Sequence, residues 1–393
     1  MPMTDRLDHD SRRLFVLCLI GFVIFGAVFT IVGAALPEII RKFHWTYALT
    51  GVVLAGNTIG YFVSSFICGL LVQRIRPKTI LIAGLCIGAV GMALFGRTQS
   101  AWLNLLFNLA IGLCQGGLEV VINLEVVHME RHGQSRFMNL LHAAFCVGAV
   151  AGPGATGYLI GQGGANPFVV FSVAAVLSLL VAGLFSLARF PALPAEASVR
   201  GGARALLRTP FLLLLTFFLL VYVGAEIGVS TWVSEYVVQV LGVTAATGAF
   251  AVAVFWMGLL VGRLAISFLY KGSRQQILIL GLSTLSACSL GLMLLARNPY
   301  LVALWIFFTG LGFSGIYPLV MVMVGRRFKS SVAIGTAGTG GGIGSFTFPF
   351  LMAVLAQEVG IRGGFIFYLG VSALLAALAG LIVWITRREP MND

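Results

Sequence analysis

The sequence predicts an all-α membrane protein with twelve transmembrane helices in two pseudo-symmetric six-helix bundles. Three observations predict it. Of 393 residues, 59% are hydrophobic and only 10% charged, with a mean hydropathy of +1.01. A soluble domain is about 45–50% apolar and about 25% charged. The apolar residues gather into runs long enough to cross a bilayer, which takes about 20 residues. The longest polar interval, Arg189 to Arg208, falls near mid-chain.

In order, the spans read as 14–36, 49–72, 79–96, 102–127, 137–161 and 167–188, then 210–234, 245–270, 276–296, 300–324, 332–356 and 363–386. The halves are 1–188 and 209–393, joined by a linker over 189–208 that carries Pro191, Pro194, Glu196, Arg200 and Arg204. The first run is too long for a signal peptide, and no Ala-x-Ala site precedes a polar mature segment. The start therefore reads as a first span and not as a cleaved leader.

The net charge of +12 is topological. The basic residues form no patch or stripe, so nucleic acid is not an expected partner. With the N-terminus inside, 19 of the 25 Lys and Arg fall on the inner side. Five fall outside (Arg41, Lys42, Arg97, Arg297 and Arg362), and Arg263 lies within span 8. That bias places both termini in the cytoplasm of a multi-pass protein of the plasma (inner) membrane. Cys18, Cys68, Cys86, Cys114, Cys146 and Cys288 all sit in apolar runs without a CxxC pair, and read as packing residues.

The chain carries an internal repeat. At an offset of 198, Ile111–Gly117 in span 4 faces Thr309–Gly315 in span 10, with three identities in seven. At 196, Gly148 meets Gly344 and Pro153 meets Pro349. After span 2, Gly69-Leu70-Leu71-Val72-Gln73-Arg74-Ile75-Arg76-Pro77-Lys78 resembles the loop motif of the major facilitator superfamily. Gln73 stands where that motif has Asp, and Arg76 where it has Gly. After span 8, Gly262-Arg263 and then Lys271 echo the same motif. This resemblance implies the major facilitator fold, two halves related by an axis along the membrane normal.

Three blocks narrow the resemblance. Gly112-Leu113-x-x-Gly116-Gly117-Leu118-Glu119 through Asn123 resembles span 4 of L-fucose–proton symporters. Asn139-Leu140-Leu141-His142 through Ala149 is similar to span 5 there and in sodium–glucose transporters. Tyr222 through Gly228, followed by Trp232, resembles span 7. Those symporters carry a second acid in span 1. Here that place is Gly33, ahead of Ala35-Leu36-Pro37, so a two-carboxylate scheme does not carry over.

Carboxylates inside a membrane cost on the order of 2.5–3.5 kcal/mol each and usually face a bundle interior or a wet cavity. Four lie within spans: Glu119, Glu125, Glu226 and Glu235. Gln115, Glu119 and Asn123 follow i, i+4, i+8 and share one helix face. A carboxyl there that gains and loses a proton can couple an ion and bind a hydroxyl; its plain alternative is a helix-packing hydrogen bond. Glu226, with Tyr222 and Ser230 four residues either side, is read the same way, as substrate contact and ion coupling. Glu125 and Glu235 lie nearer span ends and read as gate pairs or as side chains reaching the interface. His142, three residues after Asn139, can donate to hydroxyls or relay a proton. Trp232, Trp256 and Tyr317 offer rings for the apolar faces of a sugar, with packing as the alternative; Tyr317 takes the place of Glu119 in the repeat. Asn57 and Tyr61 share a face of span 2.

Other chemistry finds little support. His128 and His132 are i, i+4 but lack the His-Glu-x-x-His order, so no metal is expected. The run Gly335–Gly344 lacks the Gly-Lys-Ser/Thr ending of a phosphate loop and follows no strand. It reads as a mobile span 11 with close helix contacts. Trp45 and Trp102 lie near span ends, where interfacial belts gather Trp.

The leading expectation is a secondary active transporter, not an enzyme. It would symport a monosaccharide or similar polar solute with a proton or sodium, by alternating access. Its substrate contacts would be Gln115, Asn123, Asn139, His142, Glu226, Trp232, Trp256, Tyr317 and Asn57, with Glu119 and Glu226 coupling the ion. The partners are then a small-molecule substrate and the bilayer, with no cofactor beyond the coupling ion and, from the resemblance, a monomer. The runner-up is proton-coupled efflux of drugs or amphipathic metabolites. An intramembrane enzyme or a sensor on a transporter scaffold comes last, since no catalytic constellation appears.

Overall fold

The computed structural model describes residues 9–72, 74–129, 136–162, 168–190, 209–270, 274–328 and 331–388. Residues 191–208 of the expected linker, Gln73, His132 and Lys271 lie outside these. The chain divides into two compact units. Unit 1 is Met1–Trp45 with Leu49–Ala197, and unit 2 is Thr46–Ala48 with Ser198–Asp393.

Unit 1 is built from α1 (His9–Ala34), α2 (Leu36–Phe43), α3 (Tyr47–Leu71), α4 (Pro77–Leu94), α5 (Ala101–Met129), α6 (Arg136–Gly161) and α7 (Val169–Leu187). Proline starts α4, where its fixed φ suits the first turn and its missing N–H has no helical partner anyway. α1 packs on α6, and α4 on α5 and α7. Their shared core holds Phe22, Ile122, Leu141 and Phe185.

Unit 2 follows with α8 (Pro210–Leu241), α9 (Ala245–Leu269), α10 (Gln275–Leu295), α11 (Pro299–Phe313), α12 (Ile316–Phe328) and α13 (Ser331–Arg388). Thr244 caps α9 by accepting from the Thr247 amide at 3.3 Å, and Asn298 caps α11 by accepting from Tyr300 at 2.9 Å. α8 packs along α13, while α9 and α10 pack on α11.

Among the described residues, eleven stretches are long and apolar enough to cross a membrane, with α11 and α12 counted together as Pro299–Phe328. The twelve expected spans are reached because the last stretch, Val332–Arg387, has 56 residues. At about 1.5 Å per residue it far exceeds a hydrocarbon core of about 30 Å. It breaks at Gly360, whose φ of 76° and ψ of 165° are not helical. That is where the sequence places the gap between spans 11 and 12. Span 10, expected as one helix, is instead two, α11 and α12, meeting at Ser314 and Gly315.

Both units use glycine to bring helix backbones together, at positions related by the repeat. A Cβ on Gly112 of α5 would lie 1.9 Å from the Asn57 carbonyl oxygen of α3, and one on Gly60 would lie 2.1 Å from that of Leu109. Add 198 to each number and the contacts recur. Gly310 of α11 meets the Phe255 oxygen of α9 at 2.0 Å, and Gly258 meets that of Phe307 at 2.0 Å. The second offset also has a counterpart: Gly148 of α6 meets the Val23 oxygen at 1.8 Å, and Gly344 of α13 meets that of Leu220 at 2.0 Å. Pro153 and Pro349 lie inside α6 and α13.

Four of the six cysteines are buried as packing residues. Cys86 and Cys288 instead lie exposed on α4 and α10. Trp102 is exposed, as an interfacial position suggests, whereas Trp45 is buried and stacked on Phe43 with ring centroids 4.8 Å apart.

Candidate functional site

In unit 1 the polar residues collect along the seam between α3 and α5. Gly112 and Gly116 have no side chain to hold α3 away, so the α3 backbone comes down onto α5. That approach brings the Tyr61 hydroxyl to Glu119, to which it donates a hydrogen bond. One turn before Glu119, Gln115 is 2% exposed, and neither its amide nitrogen nor its oxygen has a hydrogen-bond partner among the described residues. One turn after it, the Asn123 side-chain oxygen is also without one, as is the Ser65 hydroxyl of α3. A buried unmet polar group costs about 1–3 kcal/mol. A row of them along one helix face is therefore a place built to be completed by something else. Asn57 lies one turn before Tyr61 on α3 and is half-buried.

His142 of α6 is half-buried, with its ring edge-on to Phe22 at 5.9 Å, and Asn139 is exposed. Both stand on α6, a different helix from those of the α3–α5 row. Glu125 does not reach an interface. It is fully buried, and both carboxylate oxygens are without a hydrogen-bond partner among the described residues. Its position one and a half turns past Glu119 turns it into the unit's own packing instead of toward the helix end.

In unit 2 the polar residues gather where span 10 is interrupted. A helix that stops leaves carbonyls without amide partners. The Phe313 carbonyl accepts from Tyr222 of α8 at 3.0 Å, and the Ser314 carbonyl accepts from Arg263 Nε of α9 at 3.2 Å. Glu226, one turn after Tyr222, is 6% exposed. It is hydrogen-bonded to Tyr222 and within electrostatic reach of Arg263, and its Oε1 has no partner among the described residues. Tyr317 begins α12 just beyond the joint. Its ring lies against α13, 3.7 Å from where a Cβ on Gly341 would stand, and its hydroxyl 3.8 Å from that of Gly338.

The two tryptophans differ. Trp256 donates from its indole nitrogen to Ser230 at 2.7 Å, one turn beyond Glu226. Trp232 is fully buried, its indole nitrogen without a partner among the described residues. Glu235, also fully buried, accepts from the Tyr47 hydroxyl of the same unit at 3.0 Å; like Glu125 it does not extend to an interface.

The structure thus joins Gln115, Glu119 and Asn123 with Tyr61 in one unit, and Glu226, Tyr317 and Trp256 with Tyr222 and Arg263 in the other. Sequence reasoning paired Tyr61 with Asn57 on one face of span 2 without linking it to Glu119, and passed over Tyr222 and Arg263 as site residues. Arg263 carried a signal: it is the one Lys or Arg inside any of the twelve spans.

Buried carboxyls within apolar helices, glycine seams, a broken span and helices enough for twelve crossings mark a polytopic membrane protein. The chain belongs to the Major Facilitator Superfamily, whose family signature matches residues 17–298 and 247–393. It is similar to "Bypass of stop codon protein 6" of Saccharomyces cerevisiae, at 26% identity over 88% of this chain and 78% of that one. It is also similar to a "Protein TsgA homolog" of Buchnera aphidicola, at 23% identity over 98% and 100% of the two chains. Among solved structures, a mutant of the nucleoside transporter NupG superposes with a TM-score of 0.78 at 13% identity, covering 94% of this chain and 99% of that one. That likeness is one of fold. The family is one of transporters and not of enzymes.

Proposed function

We propose that this chain is a proton-coupled symporter of a monosaccharide or similar small polyol, working by alternating access. One observation carries the reading: the Tyr61–Glu119 pair, flanked on the same face by the unmet Gln115 and Asn123. Amide and carboxyl groups in a row on one helix face suit a polyol, whose hydroxyls can each donate or accept. Glu119 couples the ion because its carboxyl changes partners with its proton: neutral it can donate to a substrate hydroxyl, charged it can only accept. A proton fits this site better than sodium, which would want several oxygen ligands gathered at one point. The remaining expected contacts, Asn57, Asn139, His142, Trp232, Trp256 and Tyr317, complete the reading, with Glu226 as second coupling carboxyl. The 19-to-5 distribution of basic residues supports an inner-membrane protein with both termini cytoplasmic, the polar interval 189–208 supports a linker between halves 1–188 and 209–393, and the family resemblance supports a monomer.

The test uses purified protein in liposomes loaded with pyranine, without an imposed proton gradient. A panel of neutral and acidic monosaccharides is added outside, with and without sodium, beside the Glu119→Gln variant. Internal acidification by a sugar, lost in Glu119→Gln, is the expected result. Uptake that needs sodium and leaves pyranine unchanged moves the coupling to sodium. Silence toward every sugar, with proton movement driven by lipophilic amines, overturns the reading in favour of efflux.

A further inference from the structure

Unit 2 carries a groove of about 570 Å³ between α10 and the part of α13 that follows the break at Gly360. Its two walls share a register. On α10 the lining includes Cys288, Gly291 and Leu295, and on α13 it includes Arg362, Ile366 and Leu369. Each wall therefore covers about two helical turns, or about 10 Å. At one end Arg362 donates from Nη2 to the Leu294 carbonyl at 3.2 Å. Further in, a Cβ on Gly291 would lie 3.6 Å from the Leu369 side chain, so the absence of a side chain at 291 leaves the groove its depth. Leu295 and Ile366 are 77% and 57% exposed, so the groove opens outward.

Arg362 stands at the mouth, where the sequence ends span 9 and begins span 12. A helix end leaves carbonyls without amide partners, and Leu294 is one residue from the end of α10. Capping that carbonyl takes a single N–H, which a glutamine could supply. A guanidinium has several more, and a charge. Arg362 is exposed and joins no ion pair among the described residues. The acid nearest to it in sequence, Glu358, precedes the break at Gly360. The cap accounts for one donor and not for the charge.

We propose that this groove binds an anionic phospholipid, with one acyl chain lying between α10 and α13 and the phosphate held by Arg362. The place argues for that occupant. Both walls belong to helices long and apolar enough to cross a membrane, so what meets an outward apolar groove there is hydrocarbon. Its charged end lies at the boundary of two spans, the level of the headgroups. A basic mouth between transmembrane helices is a recurring seat for anionic lipid, and the planar fork of arginine matches a phosphate. Charge then selects among lipids. A zwitterionic headgroup brings its own ammonium up to the guanidinium, and an anionic one does not. The site needs nothing from the substrate reading above and holds whichever solute the protein carries.

The test is native mass spectrometry of the full-length protein, purified and stripped of lipid in detergent. It is titrated with phosphatidylglycerol or phosphatidylcholine of the same acyl chains, and the dissociation constant of the first bound lipid is read. The wild type should bind phosphatidylglycerol more tightly. Arg362→Gln, which keeps a donor for the Leu294 carbonyl, should weaken phosphatidylglycerol about tenfold, the worth of a hydrogen bond to a charged group, and bring the two lipids level. Gly291→Leu fills the groove and leaves the arginine in place, so it should weaken both lipids alike. Equal affinities in the wild type overturn the inference, as does a phosphatidylglycerol preference that survives Arg362→Gln. Unchanged binding in Gly291→Leu overturns it too, because the chain then has no seat in the groove. Dimers that exclude lipid and are lost in Gly291→Leu would give the groove to a second copy of the chain and overturn it as well. The wild-type comparison and Gly291→Leu keep the test decisive where Arg362→Gln fails to fold.

Discussion

The α3–α5 seam of unit 1 and the α9–α11 seam of unit 2 are the same device with different contents. Their backbones touch at equivalent glycines, 198 residues apart, at distances that agree within a few tenths of an ångström. Between those contacts almost every polar residue differs. Glu119 corresponds to Tyr317, Ser65 to Arg263, and the Gly116 that lets α5 run on unbroken corresponds to Ser314, where span 10 stops. The steric frame is fixed tightly because a side chain there would need the space of a neighbouring backbone. The polar lining is free to diverge because it needs only a pocket, and so each half can specialise.

The strongest way to break the comparison is to fill a seam. Gly112→Leu and Gly310→Leu each place a side chain where a carbonyl oxygen already stands. Each should cost about 3 kcal/mol or more, so that little monodisperse protein survives detergent extraction and size-exclusion chromatography. A large loss for one and not for the other would mean that the halves are not mechanically equivalent. Next in size is Tyr61→Phe, which removes the hydroxyl from Glu119. It should lower proton-driven uptake by about 10-fold or more, the worth of a hydrogen bond to a charged group, while leaving the melting temperature near wild type. Smaller again is Trp256→Phe, which leaves Ser230 without its indole donor. A loss of about 1 kcal/mol in thermal stability is expected, and little or no loss in a Ser230→Ala background, where the bond is already gone. The smallest effect has the opposite sign. Gly69→Ala and Gly281→Ala lie in helices with open space where the Cβ would go, and should stabilise by about 0.5–1 kcal/mol. Destabilisation there would show that glycine is required for something other than the seams.

Much of the fold was legible because bilayer crossing is a one-dimensional property. Run length and charge placed the spans, and the polar gap before residue 363 anticipated the break that Gly360 makes with its positive φ. The interruption of span 10 was not legible. Its residues are as apolar as their neighbours, and Ser314-Gly315 is a common pair within membrane helices. The repeat suggested that Tyr317 would share the environment of Glu119. The structure adds that the joint precedes it, so Tyr317 opens a new helix instead of continuing the old one. Glu119 stood out by its depth and its one-turn spacing to Gln115 and Asn123, yet its partner Tyr61 came from another span, and pairing across helices depends on their rotation. Of the two readings offered for Glu125 and Glu235, a gate pair or a reach to the interface, the second fails for both. Distance along a helix suggested an interface, while the direction of each side chain, which sequence does not carry, turned both inward.

The glycine contacts also bear on stiffness. Where Cα atoms rest on a neighbour's carbonyl oxygens, the two helices are spaced by atoms that have no rotatable bonds between them. Cα–H···O contacts of this kind are weak singly but recur along the seam. Side chains between helices act as springs, since each can change rotamer and let the axes slide. Here there is nothing to turn. The α3–α5 and α9–α11 pairs should therefore bend and tilt as single double-walled struts, and any compliance within a unit must come from its other interfaces or from the joint at Ser314 and Gly315, the one place where such a strut has been cut.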